Sequence, residues 1–149
     1  MQHLSFFGGT LLMAALFAMV EIQIEGPHGW AEKLPTWKKQ NRWTRLFYGA
    51  KPLTGYHLWV QLFSLAMVHL PVFGGWAEWT SRGEVRALVM LALFWLAEDF
   101  LWFVLNPAFG LRRFRRDHIW WHAPAWWWIA PREYWVFTPL ALVAYWWSR

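Results

Sequence analysis

Apolar residues run in long blocks through this chain, and the polar ones gather between them. Four blocks approach the roughly 20 residues that a helix needs to cross a bilayer core, at about residues 4–25, 53–73, 85–106 and 132–148. The first carries no charge before Glu21 and is stopped by Gly26-Pro27. It has no Lys or Arg ahead of it and no small-residue cleavage signature behind it, so it reads as a retained span and not as a removable signal peptide. Asn106-Pro107 ends the third block, and Pro139 lies inside the short fourth one. The fourth is expected to extend backward through the aromatic run 119–130, with breaks at Pro124 and Pro131 that lay part of the run in the membrane interface.

The pattern predicts an all-α, polytopic integral membrane protein. Its architecture is a four-transmembrane-helix bundle with an interfacial Trp-rich segment, formed by residues 1–149 as a single transmembrane domain. Composition agrees with this: 58% of residues are hydrophobic and 15% charged, against roughly 25% charged in soluble domains. Sixteen Trp, twelve Phe and four Tyr exclude a disordered chain. The absence of Cys excludes disulfides, thiolate catalysis and Cys-ligated metals.

The net charge of +5 changes the picture only once it is placed along the chain. Eleven of the fourteen Lys and Arg residues fall in the connections 26–52 and 106–132. By the positive-inside rule both connections are cytoplasmic and both termini lie outside. Arg112, Arg113, Arg115 and Arg116 then read as a topology anchor touching anionic headgroups, so membrane lipids and not nucleic acid are the expected partners. Trp30, Leu34 and Trp37 recur at helical spacing, which predicts a short interfacial helix.

This threading brings acids and imidazoles to one depth. Glu21 and Glu25 end the first span; Tyr56, His57 and Gln61 begin the second; Glu98 and Asp99 lie about two turns before the end of the third. His118 and His122 follow in the basic connection. Glu21 and Glu25 share a helix face at i,i+4, as would His118 and His122 if residues 117–122 were helical. Acids inside a span cost up to about 2.5–3.5 kcal/mol each when they face lipid, so these need interior partners. Carboxylate and imidazole without thiolate suit iron first, with zinc or manganese as alternatives, and helical bundles build two-iron sites from such ligands.

The expected metal ligands are Glu21, Glu25, His57, Glu98, His118 and His122, with Glu98 and His57 catalytic. Asp99, Asp117, Gln61 and Tyr56 are expected to support them from behind. The leading expectation is a membrane metalloprotein, an oxidoreductase acting on a lipid-soluble small molecule. The alternatives are a metal-free acid/base enzyme such as a lipid isomerase, or a protein that binds or transports a hydrophobic ligand or cation, the transporter as a homo-oligomer. Trp120, Trp121, Trp126, Trp127 and Trp128 surround His122 as an interfacial belt or as an aromatic wall for a ligand. No nucleophilic Ser context and no phosphate-binding glycine loop is present.

Overall fold

The computed structural model describes residues 2–49 and 51–149, and the described chain is mostly helical. In order it forms α1 (Gln2–Glu25), β1 (Lys38–Lys39), α2 (Arg42–Tyr48), β2 (Leu53–Thr54), α3 (Gly55–Val68), α4 (Leu70–Phe73), α5 (Ser81–Leu105), β3 (Trp126–Trp127), β4 (Ala130–Pro131) and α6 (Arg132–Trp147). The strands pair as two minimal antiparallel ribbons, β1 with β2 and β3 with β4. Two helices, α1 and α5, are long and apolar enough to cross a membrane.

Helix α5 is the hub: it packs most extensively on α1, next on α6 and least on α3. The α1 contact has a clear cause in the sequence. Thr10, Ala14, Ala18, Glu21, Ile22 and Glu25 are buried and recur every three or four residues, so they form one stripe. Leu11, Leu12, Met13, Leu16, Met19, Val20 and Ile24 are exposed. Small and polar residues inside with large apolar ones outside invert the pattern of a water-exposed helix and let two backbones approach closely.

Helix ends are fixed locally. Asn41 and Thr44 form a reciprocal capping box at α2, and the Thr54 hydroxyl caps α3 by accepting from His57 N–H at 3.1 Å. Helix α5 stops at Asn106 because Pro107 follows. The Asn106 side-chain amide then donates to the Gly26 carbonyl at 2.8 Å, which ties the end of α5 to the end of α1.

Three expectations are corrected. The second apolar block is not one helix: it breaks at His69 between α3 and α4, where Pro71 cannot donate a backbone hydrogen bond. The segment containing Trp30 and Leu34 is a series of turns, with Trp30 (φ 55°) and Ala31 (φ 50°) left-handed. The aromatic run before α6 is not helical either. It holds a 3₁₀ turn at Ala123–Ala125 started around Pro124 and the β3–β4 ribbon ended by Pro131, and residues 117–122 are turns.

The buried aromatic cluster lies at the end of α5 shared with these loops. Phe103 stacks on Trp121 at 5.8 Å between centroids, and Trp102 meets both edge-on. Gly29 lies so close to the Trp121 ring that a Cβ there would overlap it. Gly29→Ala is therefore expected to destabilise by about 1–3 kcal/mol, whereas Gly9→Ala, in open space within α1, should stabilise by about 0.5–1 kcal/mol. Thermal unfolding in detergent reads both; equal responses would contradict the packing described.

Candidate functional site

The end of α1, the start of α3, the last turns of α5, the start of α6 and the two basic connections line an open-sided cavity of about 340 Å³. That volume is within the range of small-molecule sites, roughly 300–1,000 Å³. Its walls are mainly aromatic, and its polar groups fall into three sets.

The first set is Glu25 and His57. Glu25 accepts the backbone N–H of Ala31, so the carboxylate itself caps the left-handed turn that follows α1. That turn places Trp30 flat against the His57 ring, with centroids 4.0 Å apart and planes at 20°. Trp30 is anchored by its indole N–H to the Pro52 carbonyl at 2.8 Å. The fully buried Thr54 hydroxyl accepts from His57 N–H and lies 2.7 Å from Nδ1. The hydroxyl thus engages both the backbone and the ring of His57 and holds the ring in place. Nε2 faces Glu25 Oε1 at 4.0 Å, too far for a direct hydrogen bond.

The second set is a continuous series. Lys51 Nζ lies 3.4 Å from His122 Nδ1 and 4.4 Å from the centre of the Trp30 ring. An ammonium or amine N–H donates to Nδ1, so Nε2–H of His122 donates to Asp99 Oδ1 at 3.1 Å. Asp99 Oδ2 accepts the hydroxyl of Tyr134. Four residues from two connections and two helices are thereby linked across the cavity. Burial pushes the Lys51 amine below the ordinary lysine range, against the opposing pull of the Asp99 and Glu133 carboxylates.

The third set holds unpaired atoms, although Glu98 also meets Glu21 and Glu133 Oε1 lies 3.9 Å from Arg132. Among the described residues, three buried side-chain polar atoms have no hydrogen-bond partner: Glu98 Oε1, Trp102 Nε1 and Glu133 Oε2. All three residues line this cavity. Glu98 is 3% exposed and Trp102 4%. Glu21 lies immediately behind Glu98 and accepts the Tyr56 hydroxyl at 2.9 Å.

The structure brings together Glu25, His57, Glu98 and His122 around one cavity, with Glu21 adjoining. The Tyr56 hydroxyl donates to Glu21. Asp99 serves His122 and Tyr134 and does not serve Glu98. Other placements are corrected. His118 and Asp117 pair with each other at 3.2 Å on the surface, because residues 117–122 turn and do not coil, so His118 is not beside His122. Gln61 faces away to accept the Tyr48 hydroxyl at 2.7 Å. Among the described residues no three His, Asp or Glu side chains converge closely enough to hold a metal ion.

Of the clustered Trp, Trp121 is buried in the cavity wall, whereas Trp120, Trp127 and Trp128 are exposed. Sequence reasoning missed Lys51, Trp30, Glu133 and Tyr134. Lys51 was absorbed into the charge count of its connection; its one distinguishing mark is that Pro52 and the cap of α3 follow it directly.

The state of Lys51 is open to measurement. After reductive methylation with a labelled methyl donor, the Lys51 resonance should titrate at a lower pH than those of Lys33, Lys38 and Lys39. Asp99→Asn, which removes a favourable charge, should lower its midpoint further. Because the folded state releases this proton more readily than the unfolded chain, stability should rise with pH between the folded and unfolded midpoints, and Lys51→Met should remove that rise. An ordinary lysine titration would contradict the buried placement. No protein-family model, curated protein or solved structure matches the chain, so its functional reading rests on these side chains.

Proposed function

We propose that the chain is an integral membrane protein of four helical passages, α1, α3 with α4, α5 and α6, and that its cavity performs acid/base chemistry on a lipid-soluble substrate. Support for the passages comes from the inverted burial of α1 and from the exposed large apolar residues of α3 and α6, including Phe63, Leu140 and Val143. The basic connections, at the same end as the cavity, would face the cytoplasm and both termini the outside.

The observation that carries the chemistry is the linked series Lys51, His122, Asp99 and Tyr134, opening on the same cavity as Glu98, whose Oε1 has no partner. Lys51 takes a proton from a substrate carbon, and the electron pair moves into the adjacent double bond. The His122 imidazole and the Asp99 and Glu133 carboxylates stabilise the ammonium that forms. Glu98 delivers a proton to a second carbon, which completes an isomerisation without a redox partner, and exchange with water then removes the proton from Lys51 and restores one to Glu98. At the far wall His57 is held by Thr54 and Trp30, and Glu25 by the Ala31 N–H.

Solvent deuterium tests this. Protein incubated with a total membrane lipid extract in heavy water should place deuterium on carbon in one lipid class, as read by mass spectrometry. Lys51→Met should slow incorporation by about 10²–10⁴-fold, and thorough chelation should leave it unchanged. Absence of incorporation by folded protein would overturn the proposal.

A second reading has one observation in its favour. The gap of 4.0 Å between Glu25 Oε1 and His57 Nε2 is one that an ion ligated by both at about 2.0–2.2 Å would span, with Glu98 and Glu21 adjoining. This would be the iron-dependent oxidoreductase, with zinc or manganese as alternative metals. Stoichiometric transition metal in protein purified without chelator, together with loss of chemistry on its removal, would establish this reading over the first.

A further inference from the structure

The three unpartnered atoms define what the cavity would bind. Glu98 Oε1 and Glu133 Oε2 call for hydrogen-bond donors, and the Trp102 indole N–H calls for an acceptor. Leaving such groups dry is unfavourable, so a molecule satisfying all three gains from each. The donor and acceptor balance of the walls points the same way. Carboxyl oxygens of Glu25, Glu98 and Glu133 face a lining with a single Lys, Asp99 is already taken up by His122 and Tyr134, and Arg132 approaches only the other oxygen of Glu133, at 3.9 Å. Trp95, Trp102 and Trp121 supply ring surface of the kind that attracts cations. On the α5 and α6 flank the lining is Ala92, Leu96 and Phe137, which offers no polar group and suits an alkyl chain.

We propose that the cavity recognises an amphiphile whose head is an ammonium group with a neighbouring hydroxyl or carbonyl oxygen, the ammonium between Glu98 and Glu133 and the oxygen on the Trp102 indole N–H. This names the substrate class for the cavity and rests on its membrane setting, but binding does not require the proton transfer proposed above.

The test is equilibrium binding in non-ionic micelles, read by native mass spectrometry with four probes of equal chain length: 2-aminododecan-1-ol, dodecylamine, dodecan-1-ol and dodecanoic acid. The amino alcohol should bind at least about tenfold more tightly than the alcohol or the acid. Glu133→Gln should remove about tenfold of the amino alcohol's affinity and leave the alcohol unchanged. Trp102→Phe should weaken the amino alcohol and spare dodecylamine, which has no oxygen to place. Glu98→Gln should act as Glu133→Gln does; if it fails to fold, Glu133→Gln at the start of α6 carries the test alone. Equal or tighter binding of the alcohol or the acid would overturn the proposal, as would amine binding indifferent to Glu133. Amine binding without deuterium exchange would uphold this inference and count against the acid/base chemistry alone.

Discussion

A carboxyl group set into an apolar helix has to find its partners inside the protein, and much of this architecture follows from meeting that demand at one level. Helix α1 carries Glu21 and Glu25 on the stripe that also holds Thr10, Ala14 and Ala18. The small residues bring α1 against α5, and this delivers the acids to the place where α5 presents Glu98 and Asp99. The packing that joins the two longest helices and the polarity of the cavity are therefore one feature of the sequence seen at two depths.

The loops complete what the helices begin. A carboxylate of α1 caps the turn at Ala31, the turn holds two residues in left-handed conformations that cost about 1–2 kcal/mol each, and the outcome is Trp30 laid between His57 and Lys51. On the other side, Ile119 and Trp121 enter the apolar cluster with Ala18, Ile22, Trp102 and Phe103. Burial of Trp121 fixes the neighbouring His122 against Asp99. Apolar burial thus sets the position of the polar groups, and local backbone strain is offset by side-chain contacts within the same cavity.

Much of this is legible in the amino-acid sequence, for a physical reason. Long apolar blocks separated by basic connections predict helices that run in alternating directions, and that alternation alone predicts that Glu21, Glu25, His57, Glu98 and His122 share a level. What periodicity cannot reveal is the conformation of the connections, where no repeating face is buried. The spacing of Trp30, Leu34 and Trp37 imitates a helix, yet Trp30 is placed by a carboxylate cap and by stacking on His57. His118 and His122 have ligand spacing, but spacing acts only through a helix, and the turns at 117–122 send them apart. Lys51 looks like one more topology charge until coordinates reveal which rings and carboxylates surround it.

The most direct measurement of the central claim is the dipolar coupling between histidine ring nitrogens and aspartate carboxyl carbons in the membrane-reconstituted protein. Asp117→Asn removes the only other aspartate, which pairs with His118 at the surface. In that background the account predicts a resolved coupling, abolished by His122→Ala, because His122 Nε2 lies 3.1 Å from Asp99 Oδ1. No detectable coupling in folded protein would mean that the loop carrying His122 does not meet α5, and the cavity as described would not exist.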